Sequence, residues 1–102
     1  RGETIRFMVD TGASDVVLTP ADAQRIGLHP ATLSYTQRYN TANGIVLGAP
    51  VTLDQVRIGP IVVDTVRASV NQAPMAGSLL GMTFLNRLSG YEVRDGVLTL
   101  RQ

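Results

Sequence analysis

The sequence predicts a single, mostly β domain with one or two short helices, and three observations lead there. Its 102 residues fit one domain, since domains cluster near roughly 100–150 residues. Ten glycines and five prolines cut the chain into short pieces rich in Val, Ile, Leu and Thr, the residue types that suit a pleated surface. With 44% hydrophobic and 17% charged residues, it can bury a core and is too apolar to stay disordered.

Taken in order, a first strand is expected over Thr4 to Val9, its continuously apolar end implying cover on both faces. Asp10-Thr11-Gly12 forces a turn, and Val16 to Leu18 makes a second strand. A helix over about 20–26 follows, because Thr19 can cap it, Pro20 fits its first position and Gly27 can close it. Tyr35 to Thr41 and Ile45 to Ile58 flank Ala42-Asn43-Gly44, a strong hairpin signal, so a long hairpin with its tip at 42–44 is expected. Gly48-Ala49-Pro50 should bend its second arm at an edge or bulge. After the Gly59-Pro60 turn, Ile61 to Val70 reads as a strand with Val62, Asp64, Val66, Ala68 and Val70 on one face, which Asp64 spoils. Ser78 to Leu80 is a short buried strand ending at Gly81. Thr83 should cap a second helix over about 84–89, and a hairpin of 91–93 with 97–100 turns at Asp95-Gly96.

Composition narrows the chemistry. Nine basic residues, all arginine, against eight acidic ones leave a net charge of +1, no field that calls for nucleic acid or an anionic membrane. The absence of cysteine excludes disulfides, thiolate zinc sites and a cysteine nucleophile. A single histidine, His29, excludes a multi-histidine metal site and reads as a solvated loop residue. No apolar run approaches the roughly 20 residues that cross a bilayer. The chain opens on Arg1 and reaches its most reactive residue by position 10, so a fragment or processed product is expected, with any signal or anchor upstream.

That residue is Asp10, in Phe7-Met8-Val9-Asp10-Thr11-Gly12-Ala13-Ser14. A carboxylate set directly after an apolar strand is costly to desolvate unless it is hydrogen-bonded or shares a proton. Alone, the triplet is also what an ordinary β-turn looks like. Its context adds Leu79-Leu80-Gly81 some 70 residues on, a short helix beyond it and an Asn-Gly hairpin between. The whole order resembles the retropepsin-like aspartic proteases. Within that clan it looks most like the bacterial membrane-anchored branch, on Thr41-Ala42-Asn43-Gly44 and Leu79-Leu80-Gly81-Met82-Thr83-Phe84-Leu85.

The resemblance implies an all-β closed-barrel acid-protease fold of one domain over 1–102, with a flap hairpin near 35–58. It implies that Asp10 is the catalytic carboxylate and that Thr11 and Gly12 form the turn presenting it, with the Thr11 hydroxyl reaching toward a partner subunit. Substrate contacts would come from Ala13, Ser14 and Asp15, from the flap tip at Ala42, Asn43 and Gly44, and from Leu80. Tyr35 and Tyr39 approach that tip without spacing that makes either a flap tyrosine. Two departures stand out. Met82 occupies the place of an arginine in retroviral enzymes, and the upstream dimer-forming strand of those enzymes is expected to be absent or cut short here. Display on the periplasmic side through an N-terminal anchor follows from the same likeness.

The chemistry agrees. Amide hydrolysis by oxygen acids needs one carboxylate as base toward water and a second, protonated, as acid. Two such groups about 3 Å apart share one proton. Val63-Asp64-Thr65 echoes the motif, but Val66 stands where a glycine is needed, so Asp64 reads as a solvent-facing strand residue and the second carboxylate must be Asp10 of another copy. The expected activity is therefore that of a homodimeric aspartic endopeptidase without metal or organic cofactor. Two rivals are a silent module for dimerisation or peptide binding, and a metal-dependent hydrolase built on Asp10, Asp15 and Asp64.

Overall fold

The structure, a computed structural model, describes residues 3–41, 44–94 and 97–101. Among the described residues, eight strands form a six-stranded sheet and a separate pair, with two short helices and one 3-10 turn. In chain order they are β1 (Phe7–Val9), β2 (Val16–Leu18), α1 (Pro20–Arg25), the 3-10 turn (Pro30–Thr32), β3 (Gln37–Thr41), β4 (Gly44–Ile58), β5 (Ile61–Asn71), β6 (Ser78–Leu80), α2 (Met82–Leu85), β7 (Gly90–Arg94) and β8 (Val97–Arg101). The mostly β class and α1 follow the sequence, while α2 is present but displaced from its expected span. The large sheet curls into a half-barrel of order β1-β6-β2-β5-β4-β3, whose end strands β1 and β3 do not pair with each other.

The crossing at β6 organises the fold. β6 runs parallel to β1 and antiparallel to β2, so it threads between two strands that are neighbours in sequence. The chain from Asp10 to Asp15 must therefore pass over the end of β6. Its backbone is tied down there: Asp10 N–H donates to Leu80 O at 3.2 Å, Met82 N–H to Ala13 O at 2.9 Å and Thr83 N–H to Ser14 O at 2.8 Å. A side chain at Gly81 has no room, because a Cβ would stand 2.1 Å from Asp15 O and 2.7 Å from Ala13 O.

Thr19 caps α1 as expected, its Oγ1 accepting from Asp22 N–H at 3.0 Å, and Gly27 follows the helix at φ +92°. Thr83 does not cap α2. Gly81 is the N-cap, and α2 covers 82–85 rather than 84–89. The Thr83 hydroxyl instead accepts from Val16 N–H and donates to Arg67 O, both at 3.3 Å, bracing β2 against β5. What fixes α2 is burial: Phe84 and Leu85 are enclosed with Val16, Val66 and Leu80. A second cluster of Leu18, Ala23, Ala49 and Val70 seats α1 on the other part of the sheet. Area removed from water stabilises both, at about 25 cal/mol per Å².

Gly48-Ala49-Pro50 does not interrupt β4, which is continuous from 44 to 58. It marks a change of neighbours. Gly48 pairs with Gln37 of β3 on one side and Asn71 of β5 on the other; beyond it β3 has ended, so Pro50, opposite Ser69 of β5, has an open edge on its other side. In β5 the inward parity switches: Ile61 and Val63 are buried, then Val66, Ala68 and Val70. Thr65, at φ +55°, makes the switch, which is why Asp64 lies exposed without spoiling the core. Arg87 donates to the carbonyls of Asp64 and Thr65 at 2.8 and 3.0 Å, clamping that kink.

β1 is shorter than expected, and its apolar end is not covered: Met8 is 58% and Val9 39% exposed. β7 and β8 pair over Gly90–Arg94 and Val97–Arg101, and their turn at Asp95-Gly96 lies outside the described residues. None of the helices among the described residues is long and apolar enough to cross a membrane.

Candidate active site

Asp10 directly follows β1 and opens the turn that climbs over β6. Its carbonyl accepts from Ala13 N–H at 3.1 Å, and its Oδ1 accepts from Gly12 N–H at 2.9 Å, an Asx-type turn folding the side chain back onto its own loop. Gly12 allows this approach, since a Cβ there would stand 3.2 Å from the same oxygen. The carboxylate is half-buried in the single chain, not the enclosed acid that the flanking apolar residues imply. Thr11 and Gly12 are exposed at the turn's tip.

Ala13 and Ser14 follow, holding α2 by their carbonyls, with Ser14 exposed. Asp15 is half-buried, and its Oδ2 lies 3.1 Å from the phenol oxygen of Tyr39 on β3. Asp15 also lines a cavity of about 230 Å³ with Gln37, Thr52 and Arg67. The larger cavity, about 670 Å³, lies at Arg6, Arg25 and Met75, bounded by residues away from the Asp10 turn.

Leu80 is placed elsewhere than expected. It is 1% exposed and packs in the core with Phe84, so it cannot line a cleft; strand alternation turns the half-buried Leu79 the other way. Ala42 and Asn43 lie outside the described residues. Gly44 is exposed at φ +116°, the backbone that a tight hairpin end asks of glycine. His29 is exposed, its carbonyl occupied by Thr32. Asp64 accepts from Gln55 on the β4–β5 ladder, and among the described residues no three His, Cys, Asp or Glu side chains gather where they could hold a metal ion, so Asp10, Asp15 and Asp64 do not make the set that a metal-dependent hydrolase would need.

Sequence reasoning left Tyr39 undecided. Alternation along β3 puts Gln37 and Tyr39 on the half-buried face, and the two tyrosines diverge: Tyr35 donates to Pro30 O at 2.6 Å and braces its own loop, while Tyr39 reaches the segment after Asp10. Tyr39 also lies 2.6 Å from Gln37 Oε1. One hydroxyl hydrogen cannot serve both acceptors at once. The hydroxyl is therefore shared between Gln37 on its own strand and Asp15 across the fold, and only the second links β3 to the Asp10 segment. Burial pushes the Tyr39 phenol above its ordinary 10.0, and Asp15 adds to the rise, while the nearby Ser69 hydroxyl opposes it.

A family model described as gag-polyprotein putative aspartyl protease matches residues 1–87. A retropepsin-like aspartic protease from Rickettsia conorii, known from its crystal structure, is 40% identical with a TM-score of 0.81, the match covering 94% of this chain and 72% of that one. The chain belongs to the retropepsin-like aspartic proteases. EIAV protease in complex with an inhibitor shares the fold at TM-score 0.68 and 21% identity, over 88% of this chain and 82% of that one. An uncharacterized Sinorhizobium protein encoded in the region 5′ of cobV is 44% identical over 98% of this chain, and one from Rickettsia prowazekii is 43% identical over 94%. This retropepsin-like chain spans 43% and 41% of those two relatives, less than half their length.

Proposed function

We infer that this domain is an aspartic endopeptidase whose active site forms when two copies bring their Asp10 turns together across a two-fold axis. The observation that carries the reading is the presentation of Asp10 on a braced turn, Oδ1 held by Gly12 N–H, directly after apolar residues that one chain leaves in water, Met8 and Val9 at 58 and 39% exposure. Uncovered apolar side chains around a half-buried acid fit a surface that a second copy completes. Of the two paired carboxylates, one takes a proton from water as that water attacks the peptide carbonyl, and the other, protonated, polarises the carbonyl and then protonates the leaving nitrogen. Substrate would lie extended beneath the hairpins, bound through main-chain hydrogen bonds. Periplasmic display is part of the same reading by family likeness alone, and cell fractionation tests it.

The test is cleavage of an unstructured protein by purified material, with Asp10→Asn as control and sedimentation run on both. The expected result is a wild-type dimer that cleaves and an Asp10→Asn dimer that does not. A dimer that binds peptide yet cleaves nothing across a wide pH range would replace this reading with that of a silent binding module.

A further inference from the structure

We propose that Tyr39 is a positioning residue, a latch that fastens the β3–β4 hairpin to the segment following Asp10 and so sets the height of the hairpin above the active site. The catalytic part of this statement rests on the function inferred above; the latch itself rests on geometry.

β3 is an edge strand, held in the sheet by its ladder to β4 over residues 37–41 and 44–48. β4 gains its second neighbour, β5, only from Gly48 onward. Residues 37–41 and 44–46 are therefore a two-stranded arm that rejoins the sheet at Leu47, whose carbonyl accepts from Gln72 N–H at 2.9 Å, and at Gly48, and an isolated two-stranded ribbon is marginal by itself. Asp15, by contrast, sits on the crossing fixed by the Ala13–Met82 and Ser14–Thr83 hydrogen bonds and by the close approach of Gly81. The Tyr39 to Asp15 bond joins the arm to that fixed base, across 24 positions of sequence.

The space for the latch is built in at two further places. Gly48 bears no side chain where one would collide with Tyr39, a Cβ coming 2.7 Å from its Cε2 and 2.4 Å from Ser69 Oγ. The ring thus lies against bare backbone at the root of the arm. Ser69 on β5 is fully enclosed, and its hydroxyl faces the Tyr39 phenol. A larger residue at 48 would push the ring aside and part the phenol from Asp15. A neutral phenol donating to a carboxylate is a charge-assisted bond, stronger than a neutral pair.

Because the latch holds the arm before substrate arrives, its loss removes binding shared by ground state and transition state, which appears in KM. Tyr39→Phe is expected to raise KM roughly tenfold with kcat changed less than about threefold, and Asp15→Ala to do the same. The double variant should be no worse than either single one, since both cut one connection. A fall in kcat with KM unchanged, or effects that multiply, would overturn the latch. Amide hydrogen exchange gives a readout that needs no catalysis. In Tyr39→Phe and in Asp15→Ala, amides of residues 37–41 and 44–46 should exchange faster while those of β5 and β6 keep their protection; unchanged exchange in the arm would overturn the proposal. Should the wild type cleave nothing, the inferred function fails by itself and exchange decides the latch.

Discussion

Gly81 lies so close beneath Asp15 that a single methyl group on its Cα would come within 2.1 Å of the Asp15 carbonyl oxygen. The contact is backbone against backbone, so nothing flexible can yield. Gly81→Ala is accordingly expected to lift the Asp10–Asp15 segment off β6 and to cost at least about 1–3 kcal/mol, the usual range for overpacking. Urea unfolding measures it, and a midpoint equal to that of the wild type would show that the crossing has slack.

Val9, next to Asp10, is 39% exposed in the single chain. If a second copy covers it, Val9→Asp should shift sedimentation toward monomer and lower activity in proportion. Thermal stability of the monomer should change little, since that side chain is already partly in water. A variant that dimerises and cleaves like the wild type would place the interface elsewhere.

The pH profile of cleavage should be bell-shaped with its maximum at acid to mildly acid pH, because the working form of a paired carboxylate site holds one shared proton. Adding a second proton removes the base and removing the last one removes the acid. Initial rates measured from pH 2 to 10 on one unstructured substrate decide this, and a maximum above about pH 9 contradicts it.

Tyr39 makes a prediction at the alkaline end. Its phenol is held above 10.0 in the folded chain, chiefly by burial and then by Asp15. The folded state therefore keeps this proton more firmly than the unfolded chain does. The associated stability is complete below pH 10 and is lost as pH rises through the higher folded value. Wild type should accordingly lose more stability than Tyr39→Phe between pH 9 and 12 by thermal unfolding, and parallel curves would remove Tyr39 as the cause.

Ser78 is fully buried, its hydroxyl accepting from Thr19 N–H at 3.1 Å and donating to Asp22 at 2.6 Å. Ser78→Ala leaves the backbone donor of the α1 cap unsatisfied and is expected to cost about 1–3 kcal/mol in urea unfolding. A loss below about half a kcal/mol would mean that another acceptor replaces it.

Much of this was legible in the chain. Asp10-Thr11-Gly12 after an apolar run, Thr19-Pro20 before α1 and the Asn-Gly between β3 and β4 are local signals, carried by residues whose backbone preferences act over a few positions. The short α2 was misplaced because Thr83 is a good cap in sequence, yet in space its hydroxyl is taken by Val16 and Arg67, both from strands far along the chain. Parity in β5 was misread for a similar reason: a simple period of two cannot foresee that Thr65 turns the strand over.

The sequence by itself determined that an acid stands on a glycine turn in a mostly β domain, because turn chemistry and strand patterning are properties of neighbours. Tertiary structure alone decided what surrounds that acid. It sent Leu80 inward, left Met8 and Val9 in water, and brought Tyr39 to Asp15. Each outcome depends on β6 threading between β1 and β2, a crossing set by long-range burial and pairing that no local stretch encodes.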